Sequence, residues 1–169
     1  GADDAITIMA DFTADSQKGD ITFNDNINDG KGQDITLFAK GAGPGGDITV
    51  QGIGNSTPVG NVDIDGRTVT LGGVIQAASN RNITVDSDQD LDVDNDVTTS
   101  GDGFIRLTAD SDASGKGDLN IAKNAAVTVQ TATGDVTLEG ENITMGNGAG
   151  NNLTVNTGGG DVKITANLE

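Results

Sequence analysis

The feature that most restricts how this chain can fold is a short unit that keeps returning. A polar pair, usually Gly-Asp or one ending in asparagine, is followed by an apolar residue, a threonine and a second apolar residue. The unit reads Gly19-Asp-Ile-Thr-Phe23, Gln33-Asp-Ile-Thr-Leu37, Gly46-Asp-Ile-Thr-Val50, Asn82-Ile-Thr-Val85, Gly134-Asp-Val-Thr-Leu138 and Asn152-Leu-Thr-Val155, with variants at Gly117-Asp-Leu-Asn-Ile121 and Gly160-Asp-Val-Lys-Ile164. Side chains alternate faces along a strand, so the two apolar residues point one way and the threonine the other. Gly, Asp and Asn before each unit are turn formers. Strands this short bury too little to stand alone and become stable only when stacked on copies of themselves.

The spacing predicts how they stack. The first apolar residues form one series at Val62, Ile83, Ile105 and Val127, a second at Val69 and Leu91, and a third at Ile75, Val97 and Leu119. Three interleaved series sharing a period of about 21–22 residues describe a three-sided coil. The expected architecture is all-β: one right-handed parallel β-helix over residues 1–169, with an antiparallel β-sandwich as the alternative. The expected strand after Ile105 is missing, and Asp110–Gly117 reads as a polar loop in its place. Leu119, Val136 and Leu153 are spaced by 17 and 17, in conflict with the longer period. The interior is expected to hold Val62, Ile64, Val69, Leu71, Ile83, Val85, Leu91, Val93, Ile105, Leu107, Leu119 and Ile121.

Composition narrows the function. The 169 residues carry 9 basic and 26 acidic side chains, a formal charge of −17 that disfavours nucleic acid and anionic membranes. No run of apolar residues is long enough to span a bilayer. Cys and His are both absent, which removes disulfides, thiolate metal sites and the commonest general base. The 26 glycines and the lack of a helical period argue against helices. Both ends look like cuts through a longer pattern, so the chain is expected to be an excerpt or a processed piece.

The Gly-Asp-Ile-Thr-Val and Asn-Ile-Thr-Val units, with Gly/Asn/Asp-rich turns and few aromatics, resemble the repeats of filamentous-haemagglutinin-type adhesins and related large secreted bacterial surface proteins. The resemblance implies the shaft of a secreted, extracellular cell-surface fibre without catalysis. A host-cell or surface glycan is one expected partner; the absence of a capping segment at either end makes further repeats, continued in the same chain or stacked end to end, the other. The alternative is a β-helix polysaccharide lyase or glycosidase. Its candidate carboxylates are Asp63, Asp65, Asp92 and Asp94, and Arg67, Arg81 and Arg106 could hold an acidic sugar.

Asp86, Asp88, Asp90, Asp92, Asp94 and Asp96 occupy every second position of one segment. Carboxylate oxygens suit Ca2+, so these six are the candidate metal ligands, and Ca2+ is the one cofactor the sequence suggests. The segment is not an EF-hand loop, since Val97 and Gly103 stand where glycine and glutamate are needed. A solvated acidic edge explains the same pattern. Gly148–Leu153 resembles a single copy of a calcium-binding nonapeptide, but no second copy lies at the required spacing, so a turn is expected. Gly41–Gly46 lacks the Lys-Ser/Thr and helix of a phosphate-binding loop. The outward row Asp63, Thr84, Arg106 and Thr128 is too mixed for an ice-binding threonine ladder.

Overall fold

The computed structural model describes residues 5–29, 31–41, 45–122, 125–146 and 150–166. Strands occupy them at the spacing of the repeat. The first turn holds β1 (Ile6–Ile8), β2 (Phe12–Asp15) and β3 (Ile21–Phe23); the second holds β4 (Ile27–Asp29), β5 (Ile35–Phe38) and β6 (Ile48–Val50). The third has a single bridging residue, Ile53, then β7 (Val62–Gly66) and β8 (Val69–Leu71). The fourth holds β9 (Ile75–Ser79), β10 (Ile83–Ser87) and β11 (Leu91–Val93), and the fifth β12 (Val97–Ser100), β13 (Ile105–Thr108) and β14 (Asp118–Ile121). The last strands are β15 (Val127–Gln130), β16 (Val136–Gly140), β17 (Asn142–Met145), β18 (Leu153–Asn156) and β19 (Val162–Ala166). No helix occurs among the described residues.

Every pairing is parallel and joins a strand to its equivalent one turn away. The result is a three-faced β-solenoid of about six turns. One face has seven strands in the order β19-β16-β13-β10-β7-β5-β2, and a second has six, β17-β14-β11-β8-β6-β3. The third consists of β18-β15-β12-β9 and the pair β1-β4, joined through the bridges Ile53–Ile75 and Ile27–Ile53. The sandwich alternative is thereby excluded, because it requires antiparallel pairs.

All twelve residues assigned to the interior from sequence are at most 1% exposed. The register beyond Ile105 needs correction. Leu119 continues the Val69–Leu91 row rather than the Val97 row. Val136, not Val127, follows Ile105, and Val97 pairs with Val129. No strand is missing after Ile105: β14 is that strand, delayed by the loop at Asp110–Gly117. Leu119, Val136 and Leu153 lie on three different faces, so their spacing is no period at all. The outward row of the seven-stranded face accordingly runs Thr36, Asp63, Thr84, Arg106, Thr137 and Lys163, with Thr137 in the place given to Thr128.

The corner residues do more than turn the chain. Before the strands of the seven-stranded face, each Asp or Asn side chain accepts the backbone N–H of its equivalent one turn on. Asp11 accepts from Asp34 (3.0 Å), Asp34 from Asn61 (2.7 Å), Asn61 from Asn82 (3.0 Å), Asn82 from Phe104 (3.2 Å) and Asp135 from Asp161 (2.8 Å). A second corner repeats the device with Asp20–Asp47 (2.9 Å) and Asp90–Asp118 (3.1 Å). The ladder satisfies corner amides that no strand pairs, which is why the polar residue recurs so strictly. The adjoining glycine answers to close stacking. A Cβ on Gly46 would lie 2.1 Å from the Gly19 carbonyl oxygen, and one on Gly134 would lie 2.0 Å from that of Gly103.

Candidate functional site

The outward side chains of the middle turns form an open groove on the seven-stranded face, about 510 Å3 in volume. Its floor is set by the alternation of β7, β10 and β13. Val62, Ile64, Ile83, Val85, Ile105 and Leu107 point inward, which forces Asp63, Asp65, Thr84, Asp86 and Arg106 outward. Asn61 and Asn82 border the strand entrances, and Phe38 and Phe104 stand at diagonally opposite ends.

Most of the charge in and beside the groove is paired. The Arg106 guanidinium donates to Asp86 Oδ2 at 2.5 Å. Lys40 Nζ lies 2.6 Å from Asp65 Oδ1 and 2.8 Å from Asp88 Oδ1, and donates to Ser111 Oγ at 3.1 Å. The Ser111 hydroxyl in turn donates to Asp88 Oδ1 at 3.0 Å. These four side chains tie four successive turns together along the edge of the groove. Burial alone would lower the Lys40 ammonium, but its bonds to Asp65 and Asp88 outweigh that and hold it above its usual range. Asp65 is pushed up, first by burial, with Asp86 and Asp88 adding to the effect and Lys40 opposing it.

Asp63 differs from its neighbours. Its carboxylate forms no hydrogen bond or ion pair among the described residues. It remains accessible, yet the side-chain rows around it displace enough water to raise its carboxyl above the ordinary range. The charge of Asp86 adds to the rise, and Arg106 partly offsets it. Asp63 is therefore, among the described residues, the groove carboxylate without a hydrogen-bond or ion-pair partner.

The structure sorts the acidic residues named from sequence by face. Asp63 and Asp65 share the groove, and Asp86 joins them because it pairs in register with Asp65. Asp92 and Asp94 lie around the corner. Asp92 is outward on β11, accepting from Asn120 Nδ2 at 3.0 Å, and Asp94 follows that strand. Asp88 and Asp90 lie in the corner that follows Ser87, whose buried hydroxyl lies 2.9 Å from the carbonyl oxygens of both Arg67 and Asp90 and shares its one proton between them. Asp96 accepts the Thr128 N–H at 2.6 Å on the third face. The six alternate acids thus spread around one turn, and among the described residues no three acidic side chains gather as a metal-holding group. Of the three arginines only Arg106 enters the groove. Arg67 makes a two-pronged pair with Asp47 (2.8 and 2.7 Å), which holds the Asp47 carboxyl below its usual range.

Sequence reasoning did not find Phe38, Lys40 or Phe104. The first two reach the groove only through a register that crosses a turn of irregular length. Phe104 carried a readable signal: it stands where the repeat otherwise places Asp or Asn. Residues 147–149, within the proposed nonapeptide turn, and residues 42–44, within the glycine-rich turn at Gly41–Gly46, lie outside the described residues. Comparison with family models finds no match, and comparisons with curated proteins and with solved structures find none either.

Proposed function

We propose that this chain is a rigid, adhesive segment of a secreted bacterial cell-surface fibre, without catalysis, in which solenoid segments continue into or stack upon one another. The observation that carries this reading is the state of the two terminal turns. The inward rows run to the last described strand without being covered. Val162 and Ile164, in register with the fully buried Val136 and Leu138, are 47% and 48% exposed. At the other end Ile6, in register with the fully buried Ile27, is 39% exposed. Beside them, β19, β17, β3 and β2 are edge strands with one face of backbone donors and acceptors unpaired within their sheets. Such an edge is a template for another strand. An apolar row left open beside it favours a further turn of the same solenoid.

The opposing force is charge. At −17 the segments repel one another, and salt screens that repulsion with a Debye length of about 8 Å at 0.15 M. Sedimentation velocity should therefore show oligomers that lengthen with ionic strength, and Ile164→Asp should abolish them. A monomer of unchanged size at every salt concentration would refute end-to-end stacking. The lyase or glycosidase alternative makes a different prediction, the release of new chain ends from a polysaccharide.

A further inference from the structure

Phe104 breaks the rule that organises its corner. The equivalent positions hold Asp11, Asp34, Asn61, Asn82, Asp135 and Asp161, all able to accept an amide from the next turn. Phenylalanine can accept none, so the Asp135 N–H loses the side-chain partner that its equivalents have. The ring is only partly buried in exchange, since Phe104 is 40% exposed. A forgone hydrogen bond together with a partly exposed aromatic ring is a local inconsistency of the kind that marks functional positions. The ring stands at one end of the groove that also holds the unpartnered Asp63 carboxylate.

We propose that this groove binds a neutral oligosaccharide, with Phe104 as the platform on which the apolar face of a pyranose ring lies. The chemistry of the floor supports that class. The Asp63 carboxylate, the Thr84 hydroxyl, the Asn82 amide nitrogen and the Arg106 guanidinium nitrogens not bonded to Asp86 offer donors and acceptors at short intervals, as vicinal hydroxyls require. An apolar helix would find few apolar partners here. A peptide adding as a strand would find no free edge, because β7, β10 and β13 are each paired on both sides. A sulfated or carboxylated sugar would meet the bare Asp63 and the field of a −17 chain. Phe104 and Phe38 are three turns apart and offset by four residues along the strands, roughly 14 Å by 13 Å at ordinary strand spacing and rise. That reach suits a short oligosaccharide better than a single sugar.

The inference rests on the adhesive part of the reading above, but the groove lies in the middle turns, so its test is independent of end stacking. Saturation-transfer NMR with cello-, malto-, chito- and mannotetraose should show transfer to at least one of them, unchanged between low and high NaCl. Phe104→Asn should weaken that binding about tenfold or more. It should not lower the melting temperature, because the asparagine can accept the Asp135 N–H. Phe104→Tyr should retain binding, and sedimentation of all three proteins should be identical. No transfer from any of the four sugars would overturn the proposal, as would undiminished binding by Phe104→Asn. Binding of spermidine alone, lost in high salt, would assign the groove to cations and overturn it equally.

Discussion

Replacing Asp110 by asparagine isolates the device that lets the fifth turn carry a long loop without losing register. Asp110 ends β13's side of the turn with a left-handed backbone (φ 58°) and is 8% exposed. Its carboxylate accepts the Ser114 N–H at 2.8 Å, the Ser114 hydroxyl at 3.1 Å and the Gly115 N–H at 3.0 Å. Burial pushes this carboxyl up, but the donors from Gly115, Ser114 and Lys116 outweigh it and hold it below the usual range. The asparagine keeps the shape and one oxygen, loses the charge, and turns an NH2 toward backbone N–H groups. Hydrogen bonds to a charged acceptor contribute about 1.5–3 kcal/mol each, not additively, so a loss of about 2 kcal/mol at neutral pH is expected. A carboxyl held low in the folded state stabilises above its unfolded pKa, and that stability disappears as pH falls through the folded value. The gap between wild type and variant should therefore be full at neutral pH and shrink below the ordinary carboxylate range. Denaturant melts across pH would measure it, and hydrogen exchange at Ser114 and Gly115 would localise it. A gap that does not change with pH, or unaltered exchange at those amides, would refute the reasoning.

Ile83, fully buried between Val62 and Ile105, should not tolerate aspartate. An unpaired buried charge puts Ile83→Asp beyond about 4 kcal/mol, and unchanged thermal stability by circular dichroism would mean that the register is wrong. Gly134→Ala should destabilise by about 1–3 kcal/mol, because the new methyl would meet the Gly103 carbonyl oxygen. Gly159→Ala, whose methyl would meet only Thr133 Cγ2 at 3.9 Å, should stay within about 0.5 kcal/mol of wild type; equal effects of the two would refute the close-stacking account of the corner glycines.

The fold was legible where consecutive turns are of similar length. From Val62 through Ile83 to Ile105 the corners are short, so the inward rows repeat at a spacing that sequence shows directly. Ile105 and Val136, by contrast, are paired neighbours 31 residues apart, because the loop caged by Asp110 and the segment before β15 both lengthen the turn. Polar loops add length without adding a strand, and no local pattern tells the reader how much to subtract. The same limit hid the corner ladder. Asn61 reads as a turn former from its neighbours in sequence, but its side chain answers to Asn82, a full turn away.

The groove was legible only along single strands. Asp63 and Asp65 could be paired on sight because alternate residues of β7 share a face, whereas Asp92 and Asp94, equally spaced, are led elsewhere by the Ser87 corner. Asp86 enters the site from the next turn and Phe104 from the turn after that, so their meeting depends on register rather than on spacing. In a solenoid the repeat itself is occupied with holding turns together: inward positions fill the core, corner Asp and Asn accept amides, and corner glycines permit contact between turns. A residue that does none of these at its assigned position is free to answer to something outside the stack. Phe104 is that residue here, giving up the ladder acceptor its equivalents supply and leaving its ring partly exposed in the groove that also holds Asp63. Its replacement by asparagine would return the corner to the rule, which separates the demands of the fold from those of a ligand at a single position.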